Sequence, residues 1–301
     1  MEFLFSFIVP VYNRPNEVRE LLESLEKQTY AKSYEIVIVE DGSTISSEAE
    51  VACFSQLPIS YYVKENSGPG DSRNYGMGKA KGNYFIVLDS DCILPPHYLV
   101  TAEKSLQTEY VDCYGGPDAA HTSFSTVQKA INYAMTSLWT TGGIRGGKKS
   151  VDRFQPRSFN MGISKKAFEK TGGYGNIHPG EDPDLTIRIW NNGFTTKLIP
   201  EAYVYHKRRI DWNKFYIQVN KFGMVRPILN KWHPETVKIT YWFPTLFCLG
   251  FIGALFAIFI GFPWFMYGYG LYFGVVFFDS LWKNKNTIIA LLSVVAVGIQ
   301  F

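Results

Sequence analysis

Asp89-Ser90-Asp91 closes an apolar run, and two carboxylates at i and i+2 after a buried strand can hold a hard divalent ion such as Mg2+ or Mn2+ while leaving positions open for a diphosphate. Such an ion neutralises the charge that builds on a leaving nucleotide. Alone the pattern is common in solvated turns; its place at a strand end, beside a second acidic strand end at Glu40-Asp41, singles it out. Glu181-Asp182, preceded by Gly180 and followed by Pro183 and Asp184, falls where a helix begins, so an ionised carboxylate is stabilised there. An Asp in that place can serve as general base toward a hydroxyl, although capping the helix is the commoner use. Asn66-Ser67-Gly68-Pro69-Gly70 is a glycine-bearing turn leading into a helix that carries Arg73 and Asn74. Backbone N–H groups around Gly68 can meet a phosphate or a base, and Arg73 can bind oxyanions bidentately, the alternative being an ordinary loop with a structural arginine. The turn is neither a Walker A pattern nor G-x-G-x-x-G. His206, ahead of Lys207-Arg208-Arg209, is either a metal or phosphate ligand or a surface histidine.

These residues need a frame. Residues 3–11 form a short apolar, β-rich run, and from Val18 through Leu21, Leu22 and Leu25 the spacing switches to that of a helix. Two more apolar runs follow, one ending in Glu40 and Asp41 and one in Asp89 and Asp91. Continuous apolar strands separated by helical stretches predict a mainly parallel sheet covered on both faces. Ligands of such sheets sit beyond the carboxyl ends of the strands, where Tyr12 and Asn13 join the two acidic pairs. Residues 141–150 hold four glycines and three basic residues and read as a mobile loop. Beyond it, the spacing predicts an edge strand and a short helix closed by glycines near 160–173, then a helix from about 181 ended by Asn192-Gly193.

The chain has 301 residues, enough for one sizeable α/β domain and an appendage. Charged residues are 19% of the whole yet nearly vanish after Lys238, which separates a water-soluble part from a lipid-facing one. A net charge of +3 without a continuous basic stripe gives no footprint for nucleic acid. Cys53, Cys92, Cys113 and Cys248 lie far apart with no C-x-x-C pair, so neither a zinc site nor a disulfide framework is indicated. Around Asp211 to Trp232, aromatic, aliphatic and basic residues mix as in a helix lying in a membrane interface. Residues 241–262 and 263–282 each read as a membrane span, and a third run ending at Phe301 is short for one, leaving open whether the native chain continues. Basic residues before the first span and between the second and third place the front half in the cytoplasm, on the inner face of the cell membrane. The segmentation expected is therefore a catalytic domain over 1–209, an interface region over 210–240 and transmembrane helices over 241–301.

The runs FSFIVPVYNR, VIVEDGS, NSGPGDSRNYG, FIVLDSDC, FNMGISKKAF, GGYG and GEDPDLTIR, in this order and spacing, resemble the inverting family 2 glycosyltransferases of the GT-A fold, over about residues 3–209. The resemblance implies a Rossmann-like α/β domain in which Pro10, Tyr12, Asn13, Glu40 and Asp41 surround the nucleotide base and ribose. It implies further that Gly68 and Arg73 lie near base and diphosphate, that Asp89 and Ser90 meet the donor, that Asp89 and Asp91 hold the metal, and that His206 joins that metal. Asp182 is then the catalytic base, with Glu181 beside it. The donor implied is a nucleotide-sugar, a UDP-sugar ahead of a GDP-sugar, with Mn2+ or Mg2+, and the acceptor a saccharide or a lipid-linked saccharide at the bilayer.

Processive members of the family carry Q-x-x-R-W before their spans, and Gln218-Val219-Asn220-Lys221-Phe222 does not match, so transfer of a single sugar is expected. The alternatives are a polyprenyl-phosphate hexose synthase, a nucleotidyltransferase and a catalytically silent membrane scaffold. VPVYNRPNEV lacks the glycine-rich, basic signature of the second, and intact D-x-D and E-D motifs speak against the third.

Overall fold

In the computed structural model, which describes residues 2–119, 124–141, 153–206 and 211–301, the first apolar run forms β1 (Phe5–Val11) and is followed by α1 (Pro15–Glu26). β2 (Tyr34–Asp41), α2 (Glu48–Ala52), β3 (Ile59–Lys64), α3 (Pro69–Lys79) and β4 (Tyr84–Leu88) continue the alternation. The two-residue β5 (Cys92–Ile93), α4 (Tyr98–Thr108), β6 (Cys113–Gly115) and β7 (Asp118–Ala119) come next. After α5 (Thr126–Thr136) and α6 (Leu138–Thr141) the chain returns with β8 (Asn160–Ser164), α7 (Lys165–Thr171), α8 (Glu181–Asn191), β9 (Thr196–Leu198) and β10 (Val204–His206). Four helices end it: α9 (Trp212–Trp232), α10 (Phe243–Phe259), α11 (Trp264–Asn284) and α12 (Thr287–Gln300). The expected loop over 141–150 lies, from residue 142 on, outside the described residues, as does the side chain of His206.

The described residues divide into two compact units, one of residues 2–119 and 153–206, the other of residues 124–141 and 211–301. In the first, a seven-stranded sheet has the order β3-β2-β1-β4-β8-β6-β9. β1 to β4, β6 and β9 run one way and β8 runs against them. Alternating side chains of β1 go to opposite faces: Phe5, Phe7, Val9 and Val11 pack with Leu21, Leu22 and Leu25 of α1 and with Tyr98 and Leu99 of α4. Ile8 packs on the other face with Met77 of α3 and Leu185 and Ile189 of α8. Burial on both faces explains why these strands read as unbroken apolar runs, each large side chain contributing about 1.5–3 kcal/mol.

β8 corrects the expectation of an edge strand. It lies between β4 and β6, and all five of its residues are buried. Glycine is needed at its centre, since a Cβ on Gly162 would stand 2.0 Å from the ring of Tyr114. A separate small sheet, β5-β10-β7, pairs His206 with Cys92 in antiparallel register and Val204 with Asp118 in parallel.

In the second unit α5 starts in a capping box, Ser125 accepting from Gln128 N and Gln128 returning to Ser125 N. Ile131, Ala134 and Met135 of α5 pack with Phe215 of α9, Val276 of α11 and Ala296 and Val297 of α12. The run Ile239–Phe259, 21 residues, is the one helix among the described residues long and apolar enough to cross a membrane. The second expected span forms α11, equal in length, but its Tyr, Trp and Gly content with Asp279 and Lys283 leaves it less apolar, and α12 is shorter. Two spans thus narrow to one by length and composition.

Candidate functional site

The carboxyl ends of β2, β1 and β4 lie side by side, with the N-termini of α3 and α8 following in the chain at the same unit. Three of the residues expected around a base and ribose spend their polar groups on the loops that shape this end. Asn13, at φ 55°, accepts from the backbone N–H groups of Thr44 at 2.8 Å and Ile45 at 2.9 Å, and its own N–H donates to Ser43 at 2.7 Å. Glu40 is 1% exposed and accepts from Ser47 N at 2.9 Å, Tyr61 Oη at 2.6 Å and the Ser43 hydroxyl. Asp41 accepts from Lys64 Nζ at 2.7 Å and from the N–H groups of Ser67 and Gly68, both at 2.9 Å. Burial alone would raise the pKa of Asp41, but the Lys64 hydrogen bond and the two N–H donors outweigh it and the net shift is downward. Pro10 is half-buried in β1 opposite Val39, and Tyr12 is 51% exposed, so of the five it is Tyr12 that offers a large open face.

Gly42 makes this clamp possible. Its φ is +69°, and a Cβ there would stand 2.6 Å from the backbone N of Asn66. Asn66 in turn donates to Asp41 O at 2.8 Å. Gly68, at φ +93°, caps α3, and Pro69 opens it.

Arg73, 4% exposed on α3, joins the two acidic motifs. Its Nη2 donates to Asp89 at 2.8 Å and its Nη1 to Glu181 at 3.3 Å, while the Tyr174 ring centroid lies 5.2 Å from Cζ. Despite burial, these carboxylates hold its pKa above the ordinary arginine value. Asn74, one residue on, fixes the Gly172-Gly173-Tyr174-Gly175 turn by accepting from Tyr174 N at 2.8 Å and donating to Tyr174 O at 2.9 Å. A Cβ at Gly173, where φ is +74°, would meet Asn74 Oδ1 at 2.2 Å.

Asp89 follows β4 with a third of its side chain exposed, and Ser90 lies 3.4 Å from Glu17. Asp91 precedes β5, and the register of β10 sets the backbone of His206 opposite Cys92, one position from Asp91. Among the described residues no group of three His, Cys, Asp or Glu is arranged to hold a metal. Two carboxylates separated by one residue nevertheless fit a hard divalent ion, since Mg2+ in particular is usually held by one or two carboxylates together with substrate phosphates.

At α8, Gly180 takes the cap position at φ 117° and Glu181, Asp182 and Asp184 fill the first turn. The three acids have different surroundings. Glu181 is held by Arg73 and by His178 Nδ1 at 3.1 Å; burial raises its pKa, the His178 hydrogen bond and the Arg73 charge lower it more, and the result lies below the ordinary value. Asp184 pairs with Arg188 at 2.7 Å, and Arg188 also donates to the carbonyls of Thr171 and Gly173. Asp182 keeps a buried Oδ1 with no hydrogen-bond partner among the described residues. Burial first and the Glu181 carboxylate second raise its pKa. A carboxylate of raised basicity with an unoccupied oxygen suits proton abstraction.

Lys64 and His178 are the residues here that sequence reading did not name. Lys64 ends β3 in register with Asp41, a signal available only once the strand pairing is known.

A doubly covered, mainly parallel sheet with acidic residues gathered at its carboxyl ends is the GT-A architecture. The model of the glycosyl transferase family 2 matches residues 6–172, more than half of the 301 residues, and the chain belongs to that family. It is 38% identical over 117 residues to an uncharacterized glycosyltransferase of Rickettsia bellii, 38% of this chain and 17% of that one. It is 42% identical over 101 residues to glycosyltransferase GlyA of Streptococcus pneumoniae serotype 4, 33% of this chain and 14% of that one. With the minor teichoic acid biosynthesis protein GgaA of Bacillus subtilis it shares 28% over 159 residues, 50% of this chain and 31% of that one. These curated relatives are thus matched over less than a third of their own length. Among solved structures, the mannosyltransferase PcManGT of Pyrobaculum calidifontis, in complex with GDP-Man and Mn2+, has a TM-score of 0.60 at 14% identity, covering 100% of this chain and 87% of that one. TarS 1-349 of S. aureus in complex with UDP has a TM-score of 0.53 at 22% identity, covering 75% of this chain and 66% of that one. Both likenesses speak to the fold.

Proposed function

We propose that the chain transfers a single sugar, with inversion, from a nucleotide-sugar to an acceptor hydroxyl of a saccharide or lipid-linked saccharide. The observation that carries this reading is the Arg73 bridge, which draws the D-x-D end of β4 and the acidic start of α8 to one guanidinium. Asp182 takes the proton of the acceptor hydroxyl; its raised pKa and an Oδ1 with no hydrogen-bond partner among the described residues support that role. Glu181, held by Arg73 and His178, keeps its own charge and positions the first turn of α8. Asp89 and Asp91, with His206 one position across the strand pair, would hold a divalent ion, which when bound neutralises the charge on the departing diphosphate. Tyr12, exposed at the end of β1, offers a face for the base, and the loop held by Asp41 and Lys64 sets the walls around it.

The GDP-Man, UDP and Mn2+ complexes of the structural neighbours support a nucleotide-sugar and a divalent ion in general terms, and GgaA, named for teichoic acid biosynthesis, supports an envelope saccharide as acceptor. A UDP-sugar is our first choice of donor. Ile239–Phe259 would anchor the chain in the cell membrane with the transfer unit on the cytoplasmic side, where nucleotide-sugars are made. Purified protein in detergent, assayed against a panel of nucleotide-sugars with and without Mn2+, tests the reading. Metal-dependent consumption of one donor supports it, and none across the panel counts against it.

A further inference from the structure

α9 has two apolar faces, and the second unit uses one of them. Phe215, Phe222 and Leu229, seven residues apart, face inward, with Phe215 and Leu229 buried and Phe222 packed on the core of α5, α11 and α12. Two other seven-residue rows face outward. Lys214, Lys221 and Ile228 form one; Ile217, Met224 and Lys231 form its neighbour; all six are exposed. At 3.6 residues per turn these rows make one stripe in which Ile217, Met224 and Ile228 are flanked by lysines along its length.

The helix holds four basic residues and no acid. Lys214 has the capping Asp211 at 3.5 Å, and Arg226 stacks on Tyr241 at 4.2 Å from the ring centroid, which turns that fourth cation away from the stripe's role. Residues 233–238 alone separate α9 from Ile239–Phe259, the helix apolar enough to cross a membrane, and Trp232 and Trp242 stand exposed on either side of the join. A helix that close to a span, apolar along its centre and cationic at its margins, is matched in charge and depth to a headgroup layer of negative sign.

We propose that the outward face of α9 binds an anionic lipid surface, with Lys214, Lys221 and Lys231 meeting headgroup phosphates and Ile217, Met224 and Ile228 entering the acyl boundary. The inference rests on the reading that Ile239–Phe259 lies in a membrane, and adds to it a choice of lipid. Zwitterionic lipid satisfies the apolar centre but brings no net negative charge to Lys221 and Lys231, or to Lys214 beyond its contact with Asp211. A second copy of the chain would bring the same cations against these and is disfavoured for that reason.

The test uses the full chain in mixed micelles of equal phosphatidylcholine and phosphatidylglycerol, freed of excess lipid, with retained lipid quantified per protein. Wild type retains phosphatidylglycerol in excess, and the excess falls as salt is raised. Lys214→Gln, Lys221→Gln and Lys231→Gln together abolish it, each lysine being worth on the order of 5-fold in relative retention, while the circular dichroism spectrum stays that of wild type. Equal retention of both lipids by wild type, or an excess unchanged in the triple variant, overturns the proposal, as does a wild-type dimer in detergent whose formation protects the face and leaves no lipid preference. Carbonate extraction of native membranes is scored separately: release of wild type by carbonate defeats the membrane reading, whereas retention with no phosphatidylglycerol preference defeats the lipid assignment alone.

Discussion

Arg73 and Glu181, 108 residues apart in sequence, stand 3.3 Å apart in the site, and the same guanidinium reaches Asp89 at 2.8 Å. One buried cation thus balances a carboxylate from each acidic motif. Arg73→Met should lower stability by about 3 kcal/mol, because breaking a buried ion pair strands the remaining charge, and should abolish transfer. Arg73→Lys should recover less than half of either, since an ammonium lacks the fork that meets two carboxylates at once. Thermal unfolding and transfer rate on both variants check this.

The carboxylate next to the proposed base sets its proton affinity. Glu181→Gln removes the second-largest cause of the raised Asp182 pKa while leaving burial in place. The acid limb of the rate profile against pH should therefore move to lower pH. A limb that stays in place or moves upward would contradict the assignment of that limb to Asp182.

Asp41 and Glu181 both have lowered pKa values in the folded chain. Their contribution to stability is fully present above the unfolded carboxyl pKa of about 4 and is lost as pH falls through the lower folded values. Asp41→Asn should cost about 2 kcal/mol at neutral pH, by weakening the Lys64 and backbone N–H bonds, and should flatten the acid side of the stability curve. Denaturant unfolding between pH 3 and 7 would show this.

Two glycines at positive φ separate strain from space. Gly193→Ala, at φ +78° with nothing within 4 Å of the new Cβ, should cost about 1 kcal/mol. Gly42→Ala meets Asn66 N at 2.6 Å as well and should cost at least about 2 kcal/mol, with nucleotide affinity reduced because the loop held by Asp41 is displaced. Equal costs at the two positions would remove the special role given to Gly42.

What could be read from the sequence followed from local pattern. β1, β2 and β4, the helices α1 and α8, and the polar residues at the strand ends announce themselves through apolar runs, periodicity and turn residues. Nonlocal pairing could not be read in the same way. An interior antiparallel strand of five residues, Asn160–Ser164, has no more apolar pattern than an edge strand, and the two-residue β5 that brings His206 opposite Cys92 has no signature at all. The same limit applied to the site. Glu40, Asp41 and Asn13 were found as residues, but that they hold loops through Ser47, Lys64 and Ile45 depends on contacts made after folding.

Asp182→Asn tests the central claim most directly, with donor affinity, thermal stability and transfer rate measured on one variant. The amide keeps the size of the side chain and loses the proton acceptor, so donor binding and stability should stay close to wild type while turnover falls about 10²–10⁴-fold. If Asp182 only adds negative charge to the first turn of α8, whose cap position Gly180 holds, turnover does not depend on it, and transfer within a few-fold of wild type would contradict the account.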